Sequence, residues 1–118
     1  MTKKHTAGFT LVEIMIVVVI IGFISAIASV SYVKSNQTSK VTVCVANLEK
    51  IDAAIDMWVL ENHIPAGADI SGSEEEIYST YIKGSKPRCP AGGEYTLHTV
   101  GTKPQVTCSK EAEGHKLP

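Results

Sequence analysis

Between Gly8 and Lys34 the chain carries a single charge, Glu13, and from Ile14 to Val33 it runs twenty residues with none. At 1.5 Å per residue that stretch can cross a hydrocarbon core of about 30 Å. No proline occurs before Pro65. Only Gly22 and the polar, partly β-branched segment Ser35–Thr42 interrupt helical propensity, so the pattern predicts one long helix over residues 9–63. Its two parts differ. Phe9–Val33 is apolar on nearly every side, as expected of a helix that meets lipid first and other helices later. Beyond Val41 the pattern becomes amphipathic. Cys44, Leu48, Ile51, Ile55 and Trp58 recur at spacings of four and three, while Glu49, Lys50, Asp52, Asp56 and Glu61 fall mostly off that stripe. The stripe needs a cover, and the C-terminal third of the chain is the candidate. An intermolecular coiled coil is the weaker reading, since fewer than three heptads are available.

The helix should end near Asn62 or His63, because Ile64 precedes Pro65 and is biased away from helix. After a loop over 65–72, Ser73 and Glu76 fit a capping box, and Ile77, Tyr78, Tyr81 and Ile82 give a short helix an apolar face before Gly84 stops it. Tyr95–Val100 and Gln105–Cys108 flank the turn sequence GTKP and predict an antiparallel hairpin. The CPAGG run at 89–93 precedes it, and its two glycines permit a sharp bend. The fold class is therefore α+β, with a long helix packed on a small domain at 65–118.

Charge and cysteines refine this picture. The net charge is −1, but residues 1–8 hold two of the eleven basic residues and none of the twelve acidic ones, so the rest of the chain stands at about −3 with histidine neutral. That argues against a generic nucleic-acid surface, and no nucleic-acid contact is evident. Lys3 and Lys4 just ahead of the apolar run place the N-terminus in the cytoplasm and the remainder across the membrane, where cysteines can pair. Three cysteines allow three single pairings. Cys89–Cys108 closes a loop of about 20 residues, a staple of roughly 3 kcal/mol, and leaves Cys44 as a small buried group on the helical stripe. Pairing of Cys44 with either of the others stays open. With no C-x₂₋₄-C spacing the cysteines do not read as a zinc site, and the acidic run Glu74–Glu76 lacks the alternating spacing of a calcium loop. No metal ligand set, cofactor site or catalytic motif is assigned. His63, His98 and His115 read as solvent-facing or hydrogen-bonded loop and strand residues, and nothing activates Cys44 as a nucleophile.

The start of the chain carries the most specific signal: Lys3, Lys4, Gly8, Phe9 and Glu13, in register with an apolar helix. An acid inside such a run costs roughly 3 kcal/mol at a bilayer centre, so it calls for a role. Two ordinary readings compete. Ala26-Ile27-Ala28 fits a secretory signal cut before Ser29, and an uncleaved anchor would keep Met1. Neither explains Gly8-Phe9 or Glu13.

With those residues the chain resembles the type IV pilin and type II secretion pseudopilin superfamily, whose members carry a short basic leader, a glycine, then a mature phenylalanine and a glutamate fifth from it. WVLENHIP at 58–65 extends the likeness loosely. Val30 stands near the place where many pilins have a proline. The resemblance implies a leader at 1–8, a transmembrane and assembly helix at 9–33, an amphipathic half at 34–64 and a small C-terminal domain at 65–118. It implies cleavage by a prepilin peptidase between Gly8 and Phe9, N-methylation of Phe9, and assembly through Phe9 and Glu13. It implies a single-pass protein of the bacterial inner membrane with an extracytoplasmic C-terminal domain. Such a protein meets lipid and an inner-membrane assembly platform before it enters a homo-oligomeric helical filament. The small C-terminal domain leans towards a type II secretion pseudopilus. A type IV or DNA-uptake pilin, and a monomeric extracytoplasmic binding module, are the alternatives.

Overall fold

The computed structural model describes Thr2 and residues 7–118. Lys3 and Lys4 lie outside the described residues. The long apolar pattern forms one helix, α1 (Leu11–Asn62). The chain divides into two units, residues 1–36 and 37–118.

In the first unit, residues 7–10 precede the helix in non-helical backbone. The Glu13 N–H donates to Thr10 Oγ1 at 3.2 Å, so Thr10 caps the first turn. Every residue from Ala7 to Asn36 is exposed, and the helix is long and apolar enough here to span a membrane. Serines do not break it. Ser25 Oγ donates to the Ile21 carbonyl at 2.7 Å and Ser29 Oγ to that of Ala26 at 2.9 Å, which satisfies the hydroxyls along the helix itself.

In the second unit the amphipathic stripe carries the core. Cys44, Leu48, Ile51, Ala54, Ile55 and Trp58 are all buried against Ile70, Ile77, Tyr78, Ile82, Leu97, Val100 and Val106. The cover is thus supplied from within the chain. Residue His63, at φ 52°, takes the left-handed turn that ends α1 ahead of Pro65. The second helix is α2 (Glu74–Tyr81). Ser73 precedes it, but its side chain makes no capping bond, so the expected capping box is not formed; its carbonyl instead accepts from Ile77 N–H at 3.1 Å. The helix also stops short of Gly84, because Ile82 turns extended and buries its side chain in the core.

The hairpin consists of β1 (Tyr95–Leu97) and β2 (Val106–Cys108), antiparallel, with Tyr95 opposite Cys108 and Leu97 opposite Val106. It is shorter than the sequence suggested. His98 keeps one bond across the hairpin, its N–H to the Gln105 carbonyl at 2.8 Å, and the backbone then turns to the loop after α1: Ile70 N–H donates to the His98 carbonyl at 3.1 Å, and Val100 N–H to that of Ala68 at 2.9 Å. A 3-10 turn at Glu111–Glu113 then carries the tail back to bury His115. The arrangement is α+β and pilin-like.

Candidate functional site

Among the described residues two places hold candidate chemistry, one in each unit. In the first, the Gly8–Phe9 bond sits in the exposed non-helical segment just before α1. Phe9 is 81% exposed, and Glu13 is exposed in the first helical turn. A carboxylate at a helix N-terminus is favoured by the dipole and the unpaired N–H groups there. Around it Leu11, Val12, Ile14, Met15, Ile16 and the residues that follow to Val33 present a continuous apolar surface. Soluble proteins rarely expose such a surface; it calls for lipid or other chains as its cover.

In the second unit the fold gathers three thiols and an imidazole. Cys44 comes from α1, Cys89 from the loop before β1, Cys108 from the end of β2 and His115 from the tail. All four are buried, and one ligating atom from each lies within 4.8 Å of every other. His115 Nδ1 is 3.3 Å from Cys89 Sγ. The three cysteines are free in the structure. The CPAGG bend positions Cys89: Gly92, at φ 82°, donates its N–H to the Cys89 carbonyl at 3.0 Å and closes a tight turn. Burial pushes the Cys89 thiol up, but the backbone N–H groups of Ala91 and Gly93 and the neighbouring Cys44 and Cys108 bring it below its ordinary value. Cys44 is pushed up to about 12, chiefly by burial and against the hydrogen bond from Tyr95. That phenol donates to Cys44 Sγ at 3.5 Å and in turn accepts from Asn47 Nδ2 at 3.2 Å. Asn47 also reaches the Arg88 carbonyl at 3.1 Å, tying α1 to the Cys89 loop.

Spacing along the chain could not reveal this gathering, because the ligating atoms come from four separate segments. The signal that was present is narrower: an apolar helical stripe beginning at Cys44, and a second cysteine in a Pro-Gly bend. His115 takes the second of the two forms expected of it. It is hydrogen-bonded, but 2% exposed rather than solvent-facing. His98 is the exposed, bonded case, 2.7 Å from Thr107 Oγ1.

Comparison with known proteins gives this geometry a family. Residues 3–29 match the family described as prokaryotic N-terminal methylation motif. The type II secretion system core protein G of Pseudomonas aeruginosa is 40% identical over 62 residues, 52% of this chain and 44% of that protein. The competence protein ComGC of Halalkalibacterium halodurans is 30% identical over 94 residues, 79% of this chain and 85% of that protein. Fimbrial protein Q of Moraxella bovis is 37% identical over 79 residues, 66% of this chain and 50% of that protein. This chain thus spans less than half the length of the secretion-system relative. No solved structure matches it. The chain belongs to the type IV pilin and pseudopilin superfamily.

Proposed function

We propose that the protein is the repeating subunit of a helical pilus or pseudopilus filament, held first in the bacterial inner membrane and then drawn into the filament through the apolar first part of α1. The observation that carries this reading is the uncovered apolar surface of Phe9–Val33, opened by a single acid at Glu13. Lipid satisfies that surface before assembly, and neighbouring copies of the same helix satisfy it afterwards. A prepilin peptidase cuts between Gly8 and Phe9, and the new Phe9 amine is N-methylated. Glu13 of one subunit pairs with the Phe9 amine of its neighbour. In a low-dielectric bundle that pair sets axial register, since an unpaired charge there is costly. The head-to-tail contact does not close, so a filament results.

For the system served, we retain the type II secretion pseudopilus as the first reading, on the small C-terminal domain and the similarity to core protein G. The second is a competence filament, favoured by the relative named ComGC, which is matched over 85% of its length. The mass of the mature chain in its own host tests the shared proposal. A start at N-methylated Phe9 supports it; a start at Met1 or Ser29 overturns it. Deletion of the gene then separates the two systems, by loss of secreted protein in one case and of transformation in the other.

A further inference from the structure

Packing alone does not call for three thiols and an imidazole converging within 4.8 Å in the interior of a small domain. We infer that Cys44, Cys89, Cys108 and His115 form a structural zinc site, Cys₃His, that clasps the C-terminal domain onto the second part of α1. Tetrahedral zinc with sulfur at about 2.3 Å and nitrogen at about 2.0 Å sets ligand-to-ligand edges of about 3.5–3.8 Å. The cluster already has one edge at 3.3 Å and none beyond 4.8 Å, so small side-chain rotations bring all four atoms to a common centre.

Hydrogen-bond donors hold two of the sulfurs in place. Two backbone N–H groups, from Ala91 and Gly93, serve the Cys89 sulfur, and the Tyr95 hydroxyl serves that of Cys44. Donors of this kind orient metal-bound sulfur and spread its charge. Gly93 leaves room for Cys108: a Cβ there would stand 2.7 Å from Cys108 Sγ. Thiolate and imidazole together select zinc over harder cations such as calcium or magnesium. On binding, the thiols release their protons to solvent. Four protein ligands in a buried shell leave no position for substrate, so the ion is a clasp and not a catalyst.

Thiol arithmetic points the same way. A Cys89–Cys108 bridge uses two sulfurs and strands Cys44 beside them, whereas the metal uses all three and His115 as well. A clasp also answers a need. The sheet has only two three-residue strands, and domains this small commonly rely on a metal or a disulfide. The inference does not depend on which filament the subunit enters.

The test uses the full chain in detergent, purified anaerobically with zinc present. Elemental analysis should return one zinc per chain. Cobalt in its place should give thiolate-to-cobalt charge-transfer absorption and the strong red bands of a tetrahedral site. Chelation should lower the melting midpoint by about 10 °C or more, restored by added zinc. Cys108→Ser should weaken retention at least tenfold. Should that variant fail to fold, His115→Cys still decides, since it should keep one metal and shift the cobalt spectrum towards that of a four-thiolate site. Zinc-free chain with three alkylatable thiols and no cobalt bands would overturn the inference. So would a chain two hydrogens lighter with a single reactive thiol, which is the disulfide.

Discussion

Gln105 reaches from the hairpin to α1 and donates its amide N–H groups to both Asp52 and Asp56, at 3.0 Å each. The two acids are one helical turn apart on the same face, and their mutual repulsion is answered by one neutral donor. The other end of the amide is also used: Gly101 N–H donates to Gln105 Oε1 at 3.2 Å, which fixes the turn between the strands. A buried Gln thereby joins helix, turn and strand.

Gln105→Leu should cost about 1–2 kcal/mol, because two carboxylates lose a donor but keep partial access to water. Gln105→Glu should cost more near neutrality. The new carboxylate meets two acids, so its folded-state pKa lies above the unfolded one. The penalty is therefore present at neutral pH and recedes as pH falls through that folded value. Denaturant melts of both variants beside the wild type at about pH 4 and about pH 7 check this. A Glu variant equally destabilised at both values contradicts the charge argument.

Gly93 offers a test of close approach. Its φ does not require glycine, yet an added Cβ would stand 2.7 Å from Cys108 Sγ and 2.9 Å from Lys110 Cγ. The lysine can swing away; the buried cysteine cannot without moving β2. Gly93→Ala should therefore cost about 1–3 kcal/mol, as overpacking does, while Gly72→Ala, with open space around it, should cost far less. Thermal melts of the pair decide it, and equal midpoints would remove the crowding account.

The Tyr81 hydroxyl donates to the Glu61 carboxylate, linking α2 to the last turn of α1. That bond raises the Tyr81 pKa, with burial and the Glu61 charge adding to it. Since the folded pKa exceeds the unfolded one, the link is fully present below the ordinary tyrosine range and is lost as pH rises through the folded value. Burial raises Tyr78 and Tyr95 as well, so an ultraviolet titration should show several tyrosines ionising late, and Glu61→Gln should bring one of them earlier. No movement in that variant would sever the link.

How much of this was legible follows from where each signal lies. The stripe Cys44–Leu48–Ile51–Ile55–Trp58 is local and periodic, and every member is buried as the spacing required. Tyr95 and Cys108 do face each other, since alternation and a turn sequence fix a hairpin from within. The Ser73 capping box failed because its residue types permit the bond without compelling it, and the core instead claimed Ile82. The cysteine–histidine cluster was invisible because its members come from four segments, and only tertiary packing brings Cys44 and His115 together.

Glu13 carries the last prediction. Its backbone N–H is held by Thr10 Oγ1, a bond that any residue at position 13 can make. Glu13→Val therefore keeps the helix start and makes the segment more apolar, while removing only the carboxylate. The variant should insert and be cut after Gly8 at the normal rate, because the bond between Gly8 and Phe9 is four residues away and exposed. It should not enter filaments, since the neighbour's Phe9 amine would then be buried in the bundle without a partner, at a cost of several kcal/mol. Glu13→Gln should fall between the two, accepting a hydrogen bond without neutralising the charge. Mass spectrometry reports cleavage, and electron microscopy of sheared filaments reports assembly. Filaments of normal number and length from Glu13→Val would show that the carboxylate serves only the helix terminus.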